Sequence, residues 1–353
     1  MPNWYASREQ LKRSLEIKGV ERDFTIDRII ESISRLIDRE TRRFFIPRTE
    51  TRLYRWPNHI YGQGQVLYLD QDLISITTLQ SEAQNASPTT IGAADYFLEP
   101  NNTGPPYDRI EIDISSTASF NSGDTPQRSI SVLGSWGYDN DTRSTGTVAS
   151  GLASDATVTT FVCSNASLIE VGDTLLIESE QVFVSSRDFA ALGSVQTNDA
   201  SITADMSDVT ITVDASHGIL AGETIRLDSE EMYVERVATN DLTVIRAWNG
   251  TVLAAHNDNL AVNINRTLTI ERGVNGTTGA THANATAISK YIVEREIGMY
   301  CVAESIAVYQ QERAGWGRQV GAGEGSREFN AKALGDLRKR VLDRYRRMRM
   351  AAV

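Results

Sequence analysis

Val171-Gly-Asp-Thr-Leu-Leu-Ile-Glu-Ser-Glu-Gln-Val-Phe-Val184 returns 50 residues later as Ala221-Gly-Glu-Thr-Ile-Arg-Leu-Asp-Ser-Glu-Glu-Met-Tyr-Val234, with Gly, Thr, Ser, Glu and Val in register. A second pair of stretches also matches. Leu242-Thr-Val-Ile-Arg-Ala-Trp-Asn-Gly-Thr251, followed by Ala254 and His256, returns as Leu268-Thr-Ile-Glu-Arg-Gly-Val-Asn-Gly-Thr277, followed by Ala280 and His282, at an offset of only 26 residues. A tandem duplication keeps one offset throughout. The drop from 50 to 26 therefore gives the order front A, front B, end B, end A, with one module nested inside the other. This marks residues 139–292 as an insertion. Module A is expected over 155–188 plus 265–291 and module B over 205–264.

Charge follows the same division. From Thr145 to Ile292 there are 18 acidic and 7 basic residues, which account for the whole net charge of −11 and leave the remainder neutral. Within that remainder, Arg327 to Arg349 holds nine Lys or Arg against three acids, a basic terminal segment. At 353 residues, two or three domains are expected. Cys163 and Cys301 form no spacing motif and read as small buried residues of a reducing compartment. No apolar stretch has the length of a membrane span, and Met1-Pro-Asn-Trp-Tyr-Ala-Ser-Arg8 lacks the regions of a signal peptide, so a soluble protein made in a cytoplasm is expected.

Outside the insertion, Ser7-Arg-Glu-Gln10 has capping-box spacing and opens a short helix ended by Gly19. Ile26, Ile29, Ile30, Ile33, Leu36 and Ile37 form one apolar face of a second helix, expected over Thr25 to Arg43. Period-two, β-branched runs then predict short strands up to Gly134-Ser-Trp-Gly-Tyr138, with Asp70 and Asp72 read as turn residues and 139–146 as a polar linker. The insertion reads as all β, two small barrels or sandwiches. Helical period returns from Val293 to Gly315, and the Gly-rich 315–325 leads to a basic amphipathic helix. The expected fold class is α+β: a helical core with a small antiparallel β part, in segments 1–138 and 293–326, interrupted by the nested β modules and followed by a C-terminal arm, 327–353.

Ser7-Arg-Glu-Gln-Leu-Lys12, Asp27-Arg-Ile-Ile-Glu-Ser-Ile-Ser-Arg-Leu-Ile-Asp38 with Thr41-Arg-Arg-Phe-Phe45, and Leu67-Tyr-Leu-Asp-Gln-Asp-Leu-Ile-Ser-Ile-Thr-Thr-Leu79 resemble the head-tail connector, or adaptor, proteins of tailed bacteriophages. The likeness continues through Trp136-Gly-Tyr138 and the returning helix, spanning roughly 5–138 and 293–330. Members of that family pass from the Gly-Tyr turn almost directly into the next helix, so the insertion is a departure. The resemblance implies a virion protein of the neck, made in the host cytoplasm. It forms a ring, usually of twelve copies, between the portal ring and the tail or next neck protein, and DNA passes through its channel without sequence-specific binding. The C-terminal arm and the loop before it are implied to dock on the portal. The residues assigned to that contact are Trp316, Phe329, Leu337, Arg338, Arg340, Val341, Arg344, Tyr345, Arg347 and Met348. The basic helix has two other readings, a solvated face and a contact for DNA phosphates. The nested modules are expected to project outward.

Chemical motifs point away from an enzyme, and no catalytic, metal or cofactor site and no membrane contact are expected. His256 and His282 occupy one repeated position and read as structural. Gly321-Ala-Gly-Glu-Gly325 lacks the Lys-Ser/Thr ending of a phosphate loop, and Asp139-Asn-Asp141 lacks the Gly and Glu of a calcium loop. Ser179-Glu180 and Ser229-Glu230 read as caps of tight turns. A β-rich adhesion or glycan-binding protein, with the repeats as its active part, is the alternative function.

Overall fold

The structure, a computed structural model, describes residues 3–57, 64–153, 155–198, 201–315, 319–320, 327–328 and 331–347. Four helices lie among them: α1 (Arg8–Leu15), α2 (Asp23–Thr41), α3 (Arg295–Arg313) and α4 (Ala331–Tyr345). Six strands precede the repeats: β1 (Arg48–Tyr54), β2 (Val66–Ser81), β3 (Thr89–Ile91), β4 (Tyr96–Glu99), β5 (Tyr107–Ile112) and β6 (Ile130–Trp136). The repeat region supplies β7 (Thr142–Ser150), β8 (Thr160–Cys163), β9 (Thr174–Ile177), β10 (Glu180–Gln196), β11 (Thr210–Thr212), β12 (Thr224–Leu227), β13 (Glu230–Ala238), β14 (Asp241–Ile245), β15 (Ala261–Glu271) and β16 (Ala287–Tyr291). None of the described helices is long and apolar enough to cross a membrane.

The expectation of a helical core with a small β part is overturned. Strands make up 37% of the described residues and helices 20%, with the strands in two large antiparallel sheets. The first sheet runs β1-β6-β2-β5-β4 with β3 against β2, and it has its own core of Leu67, Leu73, Ile110, Val132 and Trp136. The error has a physical source at Asp70 and Asp72. Both sit inside the 16-residue strand β2, where the register shifts between Tyr68 and Leu73. Asp70 is held by Arg52 at 2.8 Å and the Tyr54 hydroxyl at 2.6 Å, and buried Asp72 by Arg43 at 2.6 Å and by Arg347. Ion pairing with distant arginines replaces the local turn chemistry that aspartate usually signals. The polar stretch read as a linker is mostly β7, which pairs with β16.

The second sheet closes on itself twice. In barrel A the strands follow β10-β9-β16-β7-β8-β15 and return to β10 through Phe183↔Glu271 to Asp188↔Thr267. Barrel B follows β15-β12-β13-β14-β11, and the bridge Thr197↔Val213 brings it back to the end of β10, which pairs β15 from Ala190 to Gln196. Closure removes open sheet edges. Strands β10 and β15 run through both barrels, and each barrel has a separate apolar core, Phe161, Leu175, Val182 and Leu268 in one and Ile211, Ile225, Met232 and Val262 in the other.

Barrel A does not project away from the body. Val171, Phe183 and Val274 belong to the same core as Leu11, Ile30, Ile37, Tyr300 and Tyr345 of the helices. The N-terminal segment makes the joint. The Asn3 side chain, fully buried, donates to Asn275 Oδ1 at 2.7 Å and accepts from Asn275 Nδ2 at 2.9 Å, while Asn275 also donates to Gln181 at 2.7 Å. Gln181 Nε2 donates in turn to the Pro47 carbonyl at 3.1 Å. Trp4 packs edge-on to Phe183 with ring centroids 5.3 Å apart. Glycines permit the approach: a Cβ on Gly172 would stand 2.3 Å from the Trp4 ring and one on Gly276 2.0 Å from the Thr49 carbonyl, and both have positive φ. The chain leaves and re-enters the body at one place, where Ile292 N donates to Asp141 O at 2.9 Å.

Candidate functional site

Each barrel holds one copy of a buried ionic cluster. Glu180 and Glu230 open β10 and β13 directly after two-residue hairpin turns, with Ile177 opposite Glu180 and Leu227 opposite Glu230. Both residues are fully buried. Arg272 grips Glu180 through Nε at 2.7 Å and a terminal nitrogen at 2.6 Å, and Arg246 grips Glu230 at 2.7 and 2.8 Å. The N–H groups of Gly273 and Ala280 donate to Glu180 at 3.0 Å each, and those of Ala247 and Ala254 donate to Glu230 at 2.9 and 3.0 Å. Nε2 of His282 lies 2.8 Å from Glu180 and that of His256 2.9 Å from Glu230. Their Nδ1 atoms face Glu178 at 2.8 Å and Asp228 at 3.1 Å. Carboxylates only accept, so both contacts of each ring are hydrogen bonds at once only when both nitrogens carry protons.

Burial alone pushes these carboxyls up, but the arginine, the two backbone donors and the histidine outweigh it and hold each at about 2. Every carboxylate lone-pair direction is taken. The clusters therefore clasp the strand ends to the Asn-Gly turns and leave no oxygen to accept a substrate proton. The repeated Ser-Glu pairs are strand-opening anchors rather than turn caps. Among the described residues no group of three or more His, Cys, Asp and Glu is placed to hold a metal ion.

A cleft of about 480 Å³ lies between α1, α3 and barrel A, with Tyr5, Arg13, Lys290, Arg295, Met299 and Val302 in its lining. Two of its cations are neutralised, Arg13 by Glu170 at 2.6 Å and Lys290 by Asp173 at 3.1 Å. Beside it, Glu9 accepts from the Val171 N–H at 2.9 Å, and its carboxyl is pushed up to about 7 by burial, against the pull of Arg187 and with the repulsion of Glu170. A carboxyl raised in the folded state holds its proton there after the unfolded chain has lost it. Stability from this site is thus full below about pH 4, the unfolded value, and declines as pH rises through about 7. Glu9→Gln keeps the acceptor without the charge, so the variant should gain denaturant resistance over the parent at pH 8 and little at pH 4. Glu180 and Glu230 have the opposite sign: their contribution is full above about pH 5 and is lost as pH falls towards 2. Urea titrations from pH 8 to pH 2 read both slopes.

The residues assigned to portal docking separate into three groups. Trp316, Phe329 and Met348 lie outside the described residues. Val341 and Tyr345 are buried in the body core, with Leu337 packed against it, and the Tyr345 ring stands 5.8 Å from that of Phe45 and 5.5 Å from that of Tyr138. Arg347 reaches Asp72 and donates to the Leu69 carbonyl at 2.9 Å. The outward group is what remains: Arg340 and Arg344 are exposed and Arg338 is half-buried, with Arg344 2.9 Å from Glu296. Lys339 is also exposed. Amphipathic spacing identified α4 as two-sided but could not say that its apolar side closes on this chain.

Comparison with family models, with curated proteins and with solved structures returns no match for this chain.

Proposed function

We propose that the chain is a structural protein of the neck of a tailed-phage particle, a connector that forms a ring against the portal and joins the DNA-filled head to the tail. It is built without catalytic chemistry; its partners are the portal ring, the next neck or tail protein and further copies of itself, twelve in a ring. The observation that carries this reading is the reunion of α2 with α3, one from each of the two segments, 5–138 and 293–330, that carry the resemblance. The packing of Ile26, Ile30 and Ile37 against Ile297, Tyr300 and Cys301 closes the two resembling segments, interrupted by the barrels, into one body around a shared core. An uninterrupted connector chain needs the same closure. The neutral charge of that body suits a wall past which DNA slides, since phosphate is not gripped.

Portal contact falls to the outward face of α4, because its apolar face is already used. Removing the whole arm would uncover the body core, so truncation tests folding and docking together. Lys339→Glu with Arg340→Glu changes only exposed positions. The double variant should keep its melting temperature and bind portal rings about tenfold more weakly, with reduced salt dependence. Unchanged affinity by surface plasmon resonance would remove α4 from the interface.

A further inference from the structure

Barrels A and B present equivalent outer faces; among the described residues the chain buries that of barrel A and touches that of barrel B only through Lys18 and Gly19. On barrel A, Gln181, Phe183, Val274 and Asn275 are 3, 3, 8 and 1% exposed because Asn3, Trp4 and Pro47 lie on them. The repeat equivalents on barrel B are Glu231, Tyr233, Trp248 and Asn249. The first three are only half-buried and Asn249 is exposed.

The face itself is conserved in detail between the two barrels. Asn249 Nδ2 donates to Glu231 Oε2 at 2.7 Å, as Asn275 Nδ2 donates to Gln181 Oε1 at 2.7 Å. Gly250 abuts the body at Lys18, where its Cβ would stand 2.3 Å away, as Gly276 abuts Thr49. The Gly19 N–H donates to the Asn249 carbonyl at 2.8 Å. Among the described residues, what barrel B lacks is a counterpart of the Asn3-Trp4 segment. Trp248 supplies part of the missing ring by packing on Tyr233 at 4.9 Å, where Trp4 packs on Phe183 at 5.3 Å, yet both aromatics of barrel B keep a face to solvent. Val252, two residues past Gly250, is 78% exposed, and Val20, next to Gly19, is 75% exposed. Single exposed apolar side chains are ordinary, but several beside an open aromatic pair mark a contact surface.

We propose that this face of barrel B docks an extended segment of a partner protein, by the chemistry that Asn3 and Trp4 use on barrel A. An amide side chain pairs with Asn249 and an apolar side chain covers Tyr233 and Trp248. Glu231 stands where barrel A has Gln181, so the segment also carries a Lys or Arg beside that carboxylate.

The test uses the full chain and a fluorescent synthetic peptide with the sequence of residues 3–8, Asn-Trp-Tyr-Ala-Ser-Arg, followed by anisotropy. Saturable one-to-one binding is expected, weakened about tenfold by Asn249→Ala, at an exposed position, and by Glu231→Ala, at a half-buried one, and unchanged by the remote control Ile114→Ser. Circular dichroism melts of the variants separate lost binding from lost folding. Absence of saturable binding overturns the proposal, as does binding that neither variant weakens, which would mean exchange at barrel A. Concentration-dependent dimerisation abolished by Val252→Arg would assign the face to a second copy and equally overturn it.

Discussion

Arg272→Ala should lower the stability of the whole body by about 3–5 kcal/mol, because it leaves the fully buried Glu180 without its bidentate partner. Arg246→Ala makes the same chemical change at Glu230 but should melt barrel B alone. The difference comes from where each barrel's apolar surface goes. Barrel A gives Val171, Phe183 and Val274 to the helical core, so its opening uncovers that core, whereas the cluster around Ile225 and Met232 contains residues of barrel B only. Hydrogen exchange under mild denaturant separates the two cases. Protection should fall in α1, α2 and barrel A together for the Arg272 variant and in 201–264 for the Arg246 variant; matching exchange patterns would mean the barrels are not distinct cooperative units.

Trp4→Ala should cost about 3–5 kcal/mol, the usual loss for a large buried aromatic, and should loosen barrel A from the body. The ring is 9% exposed, packs on Phe183 and sits over Gly172, so its removal leaves a void that rigid strands β9 and β10 close poorly. Asn3→Ala should be milder, about 1–3 kcal/mol, by leaving the buried Asn275 amide oxygen without its donor. Limited proteolysis near 139–142 reports the loosening. Unchanged cleavage in the Trp4 variant would mean that the joint rests on the other contacts.

How far the sequence reveals this architecture depends on the range of the interactions. The nesting was legible because duplicated residues keep their spacing, and the capping box at Ser7 and Gln10 was legible because its hydrogen bonds span three residues. Asp70 and Asp72 misled because their partners Arg52, Arg43 and Arg347 are remote in the chain. The buried clusters were missed although their signal was present: Glu180, Arg272 and His282 recur together as Glu230, Arg246 and His256, and co-recurrence of a carboxylate with an arginine and a histidine points to a shared cluster. The docking of Asn3 and Trp4 under barrel A left no local periodicity to read. For α4 the pattern gave both faces but not their owners, since a stripe of Leu337, Val341 and Tyr345 is the same whether it closes on its own body or on another ring.

The connector reading turns on assembly, and electron microscopy of the purified full chain, alone and mixed with portal rings of the same phage, addresses it directly. Closed rings with a central hole that stack coaxially on the portal are expected, with the barrels as peripheral density. Particles that remain monomeric in the presence of portal, or that attach to it without forming a ring around its channel, would contradict it.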